Sequence, residues 1–294
     1  MKIASTFIGK LIVEERLLIV MGMIGFLLAA ICAVYVVLYG GVVLPEGNVE
    51  SAFSFNAAIA IFILSMAAIL VVSDLKPSSR KWIRWGLAAT VLIGYGIETI
   101  QHFRGINPRF TQVGTTTDML VGMFFGLISL VLIILTVLVA ISFFRKRDVV
   151  QQPILILSIR YAFLSTMISF AAGICMSVLH SRYTGSAGNF IVLHGLGFHA
   201  LQTLPVLGWL IEQAGANDKR ARVLLHLGGV SWLSSIIFVG IQTLLGRTTF
   251  EMSLLPIIAV AALLVWSVAL ITSYVHVRKC FFSKGNPAGM NVDV

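Results

Sequence analysis

Eight apolar runs of about twenty residues divide the chain and leave it few ways to fold: Leu17–Tyr39, Phe53–Val72, Trp82–Gln101, Met119–Phe144, Ile154–Leu179, Phe190–Ile211, Val223–Leu245 and Leu254–Tyr274. A helix rising 1.5 Å per residue needs about 20 residues to cross a hydrocarbon core of about 30 Å. In lipid every backbone polar group must be satisfied internally, which leaves helices or a closed barrel. The expectation is an all-α, polytopic bundle of eight transmembrane helices over residues 1–282. A short polar tail, 283–294, is read as disordered and cytoplasmic. The sixth run has the poorest hydropathy because of its histidines, so seven spans with a re-entrant sixth is the alternative.

Composition agrees. The chain is 58% hydrophobic and 11% charged, where soluble domains carry about a quarter charged residues. The net charge of +9 falls in short runs between the apolar segments, which is a topology signal and not a nucleic-acid footprint. Leu17–Tyr39 is longer than the roughly 7–15 apolar residues of a signal peptide, so it reads as a retained span. Cys32, Cys175 and Cys280 are scattered, with no CxxC pair, and indicate neither a disulfide framework nor a zinc site.

With the N-terminus cytoplasmic, sixteen Lys and Arg residues fall at inside segments and span edges. Arg104, Arg109, Arg182 and Arg247 fall outside. That bias places both termini inside, as expected of a bacterial plasma-membrane protein. The third span ends GIETIQHFRG and the seventh reads VGIQTLLGR. Matching Gly-Ile-x-Thr in the two, four spans apart, is compatible with a four-plus-four parallel repeat. Gly122 and Gly126 form a GxxxG read as a helix-packing face. Pro205 and Pro256 lie inside spans and are expected to kink them.

Polar residues at membrane depth need a partner, a cavity or a ligand. The third span runs outward and carries Glu98, Gln101, His102 and Arg104 at its external end. The sixth runs inward and carries His194, His199 and Gln202 in its external half. Topology therefore sets both clusters in the same leaflet. At about 100° per residue, Gln101 and His102 lie roughly 60° and 40° to either side of Glu98, on one stripe. Each has a plain structural reading: Glu98 pairing with Arg104 or His102, Arg104 and Arg109 as surface cations, His194 as a cap, and His199 and Gln202 as an interhelical bond. Arg160 is expected to snorkel or to pair with Glu212. No phosphate loop, HExxH or nucleophile elbow is present.

The segments IETIQHFRGINPRF and VLHGLGFHALQTLP resemble the two signature stretches of an uncharacterised bacterial multi-pass membrane-protein family. The resemblance groups Glu98, Gln101, Arg104, Gly105, His194, His199 and Gln202. Where that family carries His-Phe at the end of the first stretch, Pro108-Arg109-Phe110 stands here. The overall plan is also similar to that of haem A synthase, although its Glu-x-x-His-Arg pattern is absent, since position 101 is Gln and the histidine follows at 102.

Three functions follow as expectations. The first is an external-leaflet pocket between the third and sixth spans that binds or translocates a small polar or anionic solute. The second is a membrane redox protein holding haem b through His102 with His199, or His102 with His194. The third is a structural accessory subunit.

Overall fold

A computed structural model describes residues 2–145, 152–214 and 219–284. Nine helices and two short hairpins appear among them. All eight expected segments are helices, and the chain folds as two units: Met1–Lys146 with Ser177–Ser181, and Arg147–Met176 with Arg182–Val294.

The first unit holds α1 (Lys2–Glu14), α2 (Arg16–Tyr39), the hairpin β1 (Val42–Val43) and β2 (Gly47–Asn48), then α3 (Val49–Val71), α4 (Pro77–Phe103) and α5 (Thr116–Arg145). Small residues let α2 and α3 approach closely: Gly22 lies against Leu64, and Gly25 against Ala60 and the Tyr95 hydroxyl of α4. Buried Glu15, between α1 and α2, holds Arg80 and Arg84 of α4 at 2.7 Å each. Two cations counted above as topology markers are thus also internal partners.

The second unit repeats that order: α6 (Pro153–Leu179), the hairpin β3 (Tyr183–Thr184) and β4 (Gly188–Asn189), α7 (Phe190–Gln213), α8 (Lys219–Leu244) and α9 (Leu254–Lys284). Ile154, Leu207, Ile211, Ala221, Leu225 and Ala269 form a buried core. Gly197 and Gly208 of α7 meet Ser169 and Ser158 of α6.

The hairpins of the two units match in register at a constant offset of 141 residues, Val42 to Tyr183 and Asn48 to Asn189. Asn48 and Asn189 each cap the helix that follows. The Glu46 amide donates to the Gly105 carbonyl at 2.8 Å, and the Ala187 amide to the Gly246 carbonyl at 2.8 Å. Gly105 (φ 78°) and Gly246 (φ 70°) turn the chain at the ends of the matching helices α4 and α8. A side chain on Gly47 would strike the His102 carbonyl, and one on Gly188 would meet that of Thr243 at 2.5 Å. This register pairs Gln101 with Gln242 and His102 with Thr243, three residues away from the Gly-Ile-x-Thr alignment drawn from sequence.

Seven of the described helices are long and apolar enough to cross a membrane. Among these α7 has the lowest mean hydropathy, 1.5, yet it qualifies. Of the eight expected spans, the one that falls short is α4, because it carries the buried polar stripe Glu98, Gln101 and His102 as well as the cations near its start. Two expectations about local features also change. Pro256 lies in the first turn of α9, where the backbone N–H has no helical partner to lose. Gly126 has nothing near the space of a side chain, and Gly122 meets only the Pro108 carbonyl, so the GxxxG face is open among the described residues. The polar tail expected from residue 283 is partly taken up by α9, which runs to Lys284; residues 285–294 lie outside the described residues.

Candidate functional site

At the end of α4 the chain turns at Gly105 into a loop that comes back over the helix, and this brings two polar groups together in the first unit. In one, Gln101 donates to Asp118 Oδ1 at 3.1 Å, and Arg104 bridges the Gln101 carbonyl oxygen and Asp118 Oδ1. Asp118 Oδ2 accepts from the Thr115 amide at 3.0 Å and its hydroxyl at 2.7 Å, closing a capping box at the start of α5. Both ends of buried Gln101 are thereby used.

In the other, Glu98 is fully buried and its Oε1 receives both Arg109 and His102 Nε2, the latter at 3.3 Å. The Asn48 amide donates to His102 Nδ1 at 3.0 Å. That bond fixes the tautomer: the ring carries its proton on Nε2, aimed at the carboxylate. Glu98 Oε2 is buried without a partner. Arg109 lies over the Phe55 ring at 5.4 Å and the Phe125 ring at 5.8 Å, a cation–π arrangement that holds a partly exposed guanidinium. It also lines an open cleft of about 410 Å³ with Phe110, Met119, Gly122, Phe125 and His180.

The second unit supplies an internal comparison. There Gln242 donates to Glu251 Oε2 at 3.1 Å, and Arg247 pairs with the same carboxylate. The glutamine–carboxylate–arginine lock is therefore common to both units. The charged group is not. At the 141-residue offset Val239 stands for Glu98 and Thr243 for His102, Gly197 for the buried Asn56 and Gly240 for its partner Thr99. The second unit closes the same architecture without them.

The remaining candidates lie on α7 in the second unit. His194 Nδ1 donates to the Ser169 carbonyl at 2.8 Å, while the Ser169 hydroxyl donates to the His194 carbonyl at 2.5 Å. This reciprocal pair staples α6 to α7. His199 is exposed, with Nδ1 at 3.3 Å from Gln202 Oε1. Glu212 accepts from the Ile154 amide at 2.7 Å and so caps α6. Among the described residues no group of three metal-ligating side chains occurs.

Both proposed haem pairs require His102, and its two ring nitrogens are already committed to Asn48 and Glu98. The donor set does not fit axial ligation by that histidine.

Sequence reasoning missed Arg109 and Asp118. Asp118 had a readable signal, the Thr115-x-x-Asp118 capping box at the head of a span. Arg109 had only its place between Pro108 and Phe110, which says little until the loop is folded back.

Outside the helices, Glu46 at the hairpin turn holds the same loop, accepting from the Thr111 hydroxyl at 2.6 Å and the Gln112 amide at 2.7 Å. Burial alone would raise its carboxyl, but those bonds, with the amides of Asn107 and Val113, outweigh it and hold it below the ordinary value. A lowered folded value means stability that is present above the ordinary carboxylate range and is lost as pH falls through it. The melting temperature of the wild type should exceed that of Glu46→Gln at about pH 6, and the gap should shrink as the pH is lowered below the ordinary carboxylate range.

No protein family, curated protein or solved structure matches the chain.

Proposed function

We propose that this integral membrane protein binds or translocates a small anionic solute at the outer end of its first unit. Arg109 is the binding cation, Glu98 and His102 hold it in place, and the cleft beside α5 receives the solute. The observation that carries this reading is the charged Glu98–Arg109 pair, present in one unit where the matching unit places Val239. An intramembrane charge that the fold does not need is there for a ligand. The cleft's size, about 410 Å³, falls within the range of small-molecule sites.

The reading includes eight spans, with α4 as the eighth. Its 27 residues reach about 40 Å, and its outward side carries Trp82, Trp85, Leu92 and Ile100. Both termini are placed inside a bacterial plasma membrane on the charge bias alone. The likeness to the uncharacterised multi-pass family belongs to the same proposal. His199 and Gln202 enter it only through their expected leaflet. For Gln101 and Arg104 a structural role is favoured instead, because the second unit repeats their lock.

The test is the melting temperature of detergent-solubilised protein against small anions, from formate and phosphate to benzoate. At least one should raise it by several degrees in the wild type and not in Arg109→Gln. No shift with any of them overturns the reading.

A further inference from the structure

The buried charges around Arg109 balance, and that balance limits what can bind. Glu98 supplies one negative charge and Arg109 one positive. His102, on the same helix, is a neutral donor by its tautomer. The next charged groups are the Arg104–Asp118 pair, which cancels, and Glu46, tied to the same loop. An anion arriving at Arg109 would therefore share one guanidinium with a buried carboxylate. Two like charges at one desolvated site are costly unless one is neutralised.

We propose, resting on the anion-binding reading above, that Glu98 takes up one proton as the anion binds. The site is then an anion–proton co-binding site for monocarboxylates with an apolar body. The step balances. A solvent proton forms an O–H bond on Glu98, its Arg109 hydrogen bond is released, and Arg109 keeps its own proton and receives the incoming carboxylate. The net charge of the site is the same before and after.

Two observations support this beyond the pair itself. Glu98 is 0% exposed and its Oε2 has no donor, so an ionised carboxylate leaves one charged oxygen unsatisfied. A proton on Oε2 removes that charge at the atom where nothing else compensates it. The ligand class follows from the walls. A guanidinium fork matches a carboxylate in two parallel bonds, and the cleft beyond it is bounded by Phe110, Met119, Met123 and Phe125, with the Asp118 carboxylate, Ser129, Ser177 and the titratable His180 as its polar wall. That surface favours an apolar body over a second charge.

Benzoate is the probe, titrated calorimetrically into the detergent-solubilised full chain in Tris and in HEPES, whose ionisation heats differ. The heat difference should report one proton taken up per benzoate bound, and Kd should rise about tenfold per pH unit over the range in which a whole proton is taken up. Glu98→Gln should bind benzoate with no proton uptake and no such slope. Wild-type binding without proton uptake overturns the co-binding and leaves the anion site standing. Uptake that persists in Glu98→Gln overturns Glu98 as the acceptor. Absence of benzoate binding up to about 10 mM, a level that would detect even millimolar affinity, overturns the monocarboxylate site, while the anion site itself is decided by the melting series with the other anions. The wild-type titration decides the matter even if the variant does not fold.

Discussion

Replacing Arg109 by Met should lower the unfolding free energy by about 3 kcal/mol, because it strands a fully buried carboxylate without its cation. The estimate sits at the low end for such a break, since the Arg109 side chain is 32% exposed while Glu98 is fully enclosed. Its aromatic contacts with Phe55 and Phe125 go at the same time. Denaturant unfolding of the solubilised protein measures it. A loss below about 0.5 kcal/mol would place the pair in the weak, solvent-screened class instead.

Gln101→Leu and Gln242→Leu should behave alike. Each removes a buried amide, 2% and 1% exposed, that ties the end of one helix to the carboxylate beyond the next turn. Each should cost about 2 kcal/mol through the bonds left unmade. Arg104 still reaches Asp118 in the first variant, and Arg247 still reaches Glu251 in the second. Anion-induced stabilisation should survive both substitutions. A Gln101→Leu protein that keeps its stability but no longer responds to anions would return Gln101 to the binding site.

Much of the architecture was legible because it rests on composition over twenty-residue windows. Each of the eight apolar runs became a helix, and most ends moved by no more than a few residues. What escaped depends on contacts between distant residues. The hairpins are two residues per strand, too short to show a period. The repeat was glimpsed at Gly-Ile-x-Thr, but its register is set by backbone bonds such as Glu46 to Gly105 and Ala187 to Gly246, which few shared side chains mark.

The candidate site divides in the same way. Glu98 and His102 were legible because charge and imidazole are conspicuous in an apolar run. Their neighbours Gln101 and Arg104 looked equally functional, and only the matching lock in the second unit separates them. Arg109 read as a surface cation because nothing local reveals that the loop folds back onto α4. The GxxxG motif read as a packing face for the same reason, since an open face and a covered one share a sequence.

The most direct test of the account is the stability of Glu98→Val combined with Arg109→Met. The account holds that the charged pair serves binding and that the unit closes without it, as the second unit does around Val239. The double variant should therefore recover at least the wild-type unfolding free energy, since apolar replacement of a whole buried pair is neutral or stabilising, and it should no longer be stabilised by benzoate. A double variant as unstable as Arg109→Met alone would show that the fold itself depends on the pair, and would contradict the account.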